Sequence, residues 1–308
     1  MFRWTDLMLD GVPVVELESR WLRVQVAPSV GGRIVSLEHR LTGQECLWRN
    51  QGIPLRRVAP GTPYDPEFYG GIDEQIPCDP AEEVAGVRYP DHGELWTQAL
   101  EGRREGEELV LRGELPLLGF SYERRLSLEE DTPTLRVRYR LTNRSGQSKV
   151  FLWKLHVALA VAPGDRILCP SAQARPLDLA WSRCERDEPF PWPTCGDLDM
   201  SRVPEADGTA EFLALTGLAE SRIGWLRAAT GLSLSLSFDP AVFPCCQLFA
   251  TYGKLLGLFT VILEPSTTPC VSLAEAVTAG TCRWLAASET LETEVTYRVE
   301  TPADRSTP

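Results

Sequence analysis

Apolar residues recur at every second position in several long runs of this chain, and that alternation constrains the fold more than any other feature. Leu135, Val137, Tyr139 and Leu141 are interleaved with Arg136, Arg138 and Arg140. Leu232, Leu234, Leu236 and Phe238 alternate with Ser233, Ser235 and Ser237. Near the C-terminus Leu291, Thr293, Val295, Tyr297 and Val299 alternate with Glu292, Glu294 and Thr296. A helix would scatter such residues around its axis, whereas an extended strand puts them on one face. Each run therefore reads as a strand with one buried and one wet face. Leu22, Val24 and Val26 give a shorter version, followed by Gly31-Gly32 as a turn. Many such strands, broken by Gly and Pro clusters, predict an all-β chain: a large antiparallel β-sandwich with few short helices, not a series of βαβ units.

The chain has 308 residues, a length that a large sandwich can reach without dividing. No repeat, low-complexity tract or interior linker interrupts it. The expectation is one domain over residues 1–300 and a frayed tail over 301–308. One helix is clearly signalled. Ser272-Leu-Ala-Glu275 is a capping box, Ala274, Ala276 and Ala279 favour helix, and Gly280 can end it. The Pro-, Trp- and acid-rich stretch 184–208 reads as a long surface loop over one edge.

Composition removes several function classes. A net charge of -12 is a poor match to nucleic acid or to an anionic membrane surface. No stretch approaches the roughly 20 apolar residues of a spanning helix, and the N-terminus shows no signal-peptide pattern. The nine Cys lack any pairing rhythm and form no C-x-x-C, so reduced thiols, no zinc site and a cytoplasmic location are expected. Phosphate-loop, dinucleotide, hydrolase-elbow and zincin motifs are all missing.

Chemistry must then come from scattered polar residues. His39 follows a strand-like run beside Arg40 and reads as a surface residue. His92, in Tyr89-Pro-Asp-His92-Gly-Glu-Leu-Trp96, lies on a turn. Either it is an ordinary polar turn residue, or it shares a pocket with Trp96 and is oriented by Asp91 or Glu94. Lys154 and His156 share one face of the apolar run Phe151-Leu-Trp-Lys-Leu-His-Val-Ala. Burying them is costly unless they are partnered, so they are either satisfied core groups or the floor of a polar cleft. Glu264 ends an apolar strand immediately before Pro265, as a solvated strand end or at the mouth of a sheet. Asp73-Glu74 follow Gly70-Gly71 as an acidic loop that either meets sugar hydroxyls or faces water.

Taken in order, these segments resemble the galactose mutarotase-like (aldose 1-epimerase-like) superfamily. The likeness runs from Trp21-Leu-Arg-Val-Gln-Val-Ala-Pro-Ser-Val-Gly-Gly-Arg33 and Thr42-Gly-Gln-Glu45-Cys-Leu-Trp48, through Asp91-His92-Gly93, Leu141-Thr-Asn143 and Lys154-Leu-His156, to Leu263-Glu264-Pro265 and the closing helix. It implies a concave carbohydrate-binding face and a small-molecule sugar as partner. It also implies roles: His156 as general acid at the ring oxygen, Glu264 as general base at the anomeric hydroxyl, and His92 as a substrate-binding residue. No metal or other cofactor is implied. Arg33, Glu74, Lys154 and Trp96 complete the expected substrate-binding set, with Arg33 and Lys154 able to meet an anionic sugar. The sequence departs from the full aldose 1-epimerase pattern around His156, where Leu155-His156-Val-Ala-Leu-Ala replaces an aromatic-rich stretch. A divergent isomerase follows, with a non-catalytic carbohydrate-binding protein of the same fold as the alternative.

Overall fold

The computed structural model describes residues 3–304. Two large sheets pack face to face. The larger has twelve strands; its centre runs Arg33–His39, Ile72–Gln75, Lys154–Leu159, Phe259–Ser266, Cys245–Tyr252 and Thr209–Thr216. The smaller has eight, with Ser233–Phe238, Thr290–Glu300, Thr134–Asn143, Phe120–Leu128 and Glu108–Leu115 at its heart. Neighbouring strands pair antiparallel.

The period-two runs form the strands expected of them. Val137, Leu234, Leu236, Val295 and Tyr297 turn inward to meet Val24, Val157, Leu213 and Leu263 of the larger sheet in one continuous core. On the outer face of the smaller sheet, Arg125 reaches Glu108 and Glu123, Arg136 reaches Glu129 and Glu294, and Arg138 reaches Glu108. These exposed pairs keep the face wet and contribute little stability individually. The helix also forms as expected, over Leu273–Ala279, with both capping-box hydrogen bonds present and Gly280 left-handed.

Other expectations fail. Asp73 and Glu74 lie on a buried central strand, Ile72–Gln75, not on a loop. Alternation sends them to opposite faces. Glu74 enters the core between the sheets, where it accepts from Tyr122, Arg124 and Trp153. His39 is buried, not on the surface; its Nδ1 lies 3.0 Å from Thr42 Oγ1 and its Nε2 lies 3.2 Å from Asp304 Oδ2. Asp304 also accepts from the Thr301 amide and hydroxyl, so residues 301–304 form a docked turn where a frayed tail was expected. Residues 305–308 of that tail lie outside the described residues. Two of the nine cysteines, Cys184 and Cys195, are joined in a disulfide, and seven are free. The spacing carries no rhythm because the bridge closes an irregular strap in 184–208. That strap borders the larger sheet through Phe190–Pro191. No helix among the described residues is long and apolar enough to cross a membrane.

Candidate functional site

The site forms on the face of the larger sheet turned away from the core. Alternate residues of five adjacent strands point there: Asp73 and Gln75; Lys154 and His156; Ile262 and Glu264; Gln247 and Phe249; Phe212. Their sequence neighbours Ile72, Val157, Leu263, Leu248 and Leu213 fill the core. A cavity of about 290 Å³ opens over these residues. Its lining includes His156 and Glu264 from the sheet, and His92 and Asp91 from a turn above it. Tyr64, Asp65, Asp178 and Trp181 also line it, from two short 3-10 turns and their caps.

His156 is held on one side only. Asp73 stands opposite it in register, with Oδ1 2.9 Å from its Nδ1, and the Tyr64 hydroxyl lies 3.3 Å from the same nitrogen. Nε2 has no hydrogen-bond partner among the described residues, and the ring lines the cavity. Such a contact favours a proton on Nδ1 and presents Nε2 to a ligand. Asp73 is itself anchored by Arg33, at 2.5 Å, and by the Tyr64 hydroxyl at 2.8 Å. Burial pushes its carboxyl up, but Arg33 and His156 outweigh burial and hold it well below the usual carboxylate range.

His92 occupies a left-handed turn position (φ 58°) ahead of Gly93. A side chain at Gly93 would put its Cβ 2.0 Å from the Ile76 carbonyl oxygen, so the turn requires glycine there. The His92 ring stacks on Tyr64 with centroids 3.8 Å apart, and its Nδ1 lies 2.9 Å from Asp91 Oδ1. Burial lowers its affinity for a proton. The Asp91 hydrogen bond and the charges of Asp79, Asp91 and Asp73 outweigh that and raise its pKa above the ordinary histidine value. The centroids of His92 and His156 are 6.1 Å apart.

Lys154 lies beneath this floor, fully buried. Its Nζ is 2.5 Å from Asp79 Oδ2, 2.6 Å from Gln247 Oε1 and 3.4 Å from Glu264 Oε2. Burial opposes its charge, but Asp79 and Glu264 outweigh burial and raise its pKa. Glu264 is buried too, and its Oε2 takes no hydrogen bond although an ammonium is nearby. That oxygen is sealed on the Lys154 side of the carboxylate, while the Glu264 side chain as a whole lines the cavity.

A family model described as "Domain of unknown function (DUF5107)" matches residues 10–90. No curated protein matches the chain. Among solved structures, the Slr1438 protein of Synechocystis sp. PCC 6803 is similar at a TM-score of 0.72 and 18% identity, over 96% of this chain and 98% of that one. A galactose mutarotase-like protein of Clostridium acetobutylicum is similar at 0.69 and 12% identity, over 98% of both chains. Another from Lactobacillus casei ATCC 334 is similar at 0.65 and 15%, over 93% of this chain and all of that one. The fold is the galactose mutarotase-like sandwich.

Within this mutarotase-like fold, His92, His156 and Glu264 share one cavity, as the ordered motifs implied. Four other expected substrate-binding residues do not line it. Glu74 faces the intersheet core. Arg33 is sealed beneath the site, donating to the Gly70 carbonyl and pairing with Asp73. Lys154 is sealed by Asp79 and Gln247. Trp96 packs edge-on against Tyr64 with its indole N–H on the Asp91 carbonyl, so it braces the wall from behind. The expectation that Arg33 and Lys154 meet an anionic sugar is therefore corrected: both cations are buried in ion pairs. Asp73's contact with His156, and the wall residues Tyr64, Asp79, Trp181 and Phe249, were not anticipated. The strand alternation of Asp73 carried a usable signal. The others come from loops or distant strands, where no periodicity marks them.

Proposed function

We propose that this protein is an isomerase of the aldose 1-epimerase type, interconverting the anomers of a sugar. The reading is carried by one observation: His156, backed by Asp73, and the Glu264 carboxylate line the same cavity. Anomer exchange needs one proton removed from the anomeric hydroxyl and one delivered to the ring oxygen. Glu264 takes the O1 proton while the His156 imidazolium gives its Nε2 proton to O5. The C1–O5 bond breaks, C1 becomes a carbonyl, and neutral His156 keeps its Nδ1 proton, which it donates in a hydrogen bond to Asp73. After rotation about C1–C2 the steps reverse: Nε2 recovers the O5 proton, O5 attacks the other carbonyl face, and Glu264 returns its proton to O1. Every proton is restored, and no electron is exchanged with a cofactor. His92 is assigned to hydrogen-bond the substrate, and Trp181 and Phe249, with centroids 5.8 Å apart, offer apolar faces to a sugar ring.

NMR exchange spectroscopy on a panel of aldoses tests this. Glu264→Gln and His156→Gln should each slow catalysed exchange by about 10²–10⁴-fold. Full rates in both variants would overturn the assignment. Sugar binding without accelerated exchange on any member would favour the non-catalytic carbohydrate-binding alternative.

A further inference from the structure

Each of the two cavity histidines rests on an aspartate, and both aspartates are tied to one residue. His156 Nδ1 lies 2.9 Å from Asp73 Oδ1, and Asp73 Oδ2 accepts from the Tyr64 hydroxyl at 2.8 Å. His92 Nδ1 lies 2.9 Å from Asp91 Oδ1, and Asp91 Oδ2 accepts from the Tyr64 amide, also at 2.8 Å. In both pairs one carboxylate oxygen meets the imidazole and the other meets Tyr64. The rings repeat the arrangement. The phenol stacks on His92, with centroids 3.8 Å apart and planes 8° apart, and meets His156 edge-on at 5.6 Å and 88°. Tyr64 is buried and clamped in turn: Trp96 packs edge-on against it, Phe68 lies 5.7 Å away, and its carbonyl accepts from the Glu67 amide. Burial, then the Asp73 charge, push the phenol pKa up, so the hydroxyl stays a donor. No hydrogen bond among the described residues reaches Nε2 of either histidine.

Resting on the reading of this cavity as a sugar site, we infer that Tyr64 is the positioning residue that fixes His92 and His156 relative to one another, so that both present Nε2 to the same sugar. It acts through two separable arms. The hydroxyl arm runs through Asp73 to His156, the group assigned to protonate the ring oxygen, and bears on the chemical step. The ring arm lies against His92, the group assigned to hydrogen-bond the substrate, and bears on binding. Reacting groups must be held within about 0.5 Å of their productive geometry by neighbours whose own rotamers are locked by packing and hydrogen bonds. Tyr64 is locked in both ways, and it is shared by the two groups whose spacing matters.

Two substitutions in the full chain separate the arms. Tyr64→Phe deletes the hydroxyl and keeps the stack. Tyr64→Leu deletes both, and either variant keeps the amide on Asp91. NMR exchange spectroscopy on an aldose that the wild type turns over should give kcat about tenfold lower in Tyr64→Phe, with KM within about twofold, as loss of one hydrogen bond to a charged group allows. Tyr64→Leu should show the same fall in kcat and, in addition, a KM raised roughly fivefold by loss of the aromatic stack. The stacked phenol also shields the His92 ring protons, so these should stay upfield in Tyr64→Phe and move downfield in Tyr64→Leu. With three histidines in the chain, comparison with His92→Asn assigns them. An unchanged kcat in Tyr64→Phe, a KM that rises as much in Tyr64→Phe as in Tyr64→Leu, or a His92 shift indifferent to loss of the ring would each overturn the inference. Tyr64→Phe removes a single oxygen, so its kcat and KM decide the hydroxyl arm even where Tyr64→Leu does not fold. If the wild type accelerates exchange of no sugar, the epimerase reading fails alone. Calorimetric titration of a sugar that binds then decides the positioning: affinity kept in Tyr64→Phe and weakened roughly fivefold in Tyr64→Leu supports it, and equal affinity in the two variants overturns it.

Discussion

Asp73 and His156 face one another across two neighbouring antiparallel strands, with carboxylate oxygen and imidazole nitrogen 2.9 Å apart at a directly paired position. The backbone ladder itself therefore fixes which imidazole nitrogen is left for the cavity. Replacing Asp73 with Asn removes the anionic partner of His156 Nδ1. Anomer exchange per folded molecule should fall by about 10²-fold. An unchanged rate would show that Asp73 does not position the acid. Arg33 also loses its countercharge, so unfolding free energy should drop by about 3–5 kcal/mol. Rates should be taken well below the thermal transition.

Lys154 is a buried cation shared by Asp79, Gln247 and Glu264. Lys154→Met leaves two carboxylates without their cation in a place water scarcely reaches. The expected loss is about 3–5 kcal/mol in urea-induced unfolding. Adding Asp79→Asn should recover part of it, since the two residues are in direct contact and their effects are not additive. Strict additivity of the two losses would contradict the pairing.

The shifted groups predict how stability follows pH. His92 has a raised pKa in the folded state, so its contribution is complete below its ordinary value of 6.5 and is lost as pH rises through the folded value. Asp73, Asp79 and Asp91 have lowered values, so theirs is present above the ordinary 3.8 and is lost as pH falls through the folded values. These groups favour denaturant midpoints that peak between about pH 4 and pH 6.5, against the opposite slope of Glu74, Glu94 and Glu211, whose pKa values burial raises. His92→Asn tolerates the left-handed turn and should flatten the limb above pH 6.5. A limb that persists in the variant would assign it to another group.

The disulfide gives a direct count. Thiol titration of the unreduced, unfolded chain should find seven reactive thiols out of nine. Cys184 and Cys195 are 11 residues apart. Converting both to Ser should lower stability by roughly 2–3 kcal/mol through the freed loop in the unfolded chain. Nine thiols would overturn the bridge.

Much of the architecture was legible in the alternation of residues such as Val137, Leu236 and Val295, because a strand must put every second side chain on one face whatever surrounds it. The capped helix at Ser272 was legible for a similar reason: its hydrogen bonds are local. The histidines and Glu264 stood out as polar groups in apolar or turn contexts, and their order along the chain carried the resemblance. What each polar residue touches was not legible. Glu74 and Asp73 are adjacent in sequence yet face the core and the cavity, and only strand pairing shows which goes where. Arg33 and Lys154 look like free cations in sequence, but long-range partners from Asp73 and Asp79 neutralise them. His39 is buried by Asp304, some 265 positions later. The sequence by itself determined the sheets, the helix and the residue types available for proton transfer, since these follow from local backbone geometry. Tertiary structure alone decided which charges are paired and which side chains share the cavity, because both depend on distance in space.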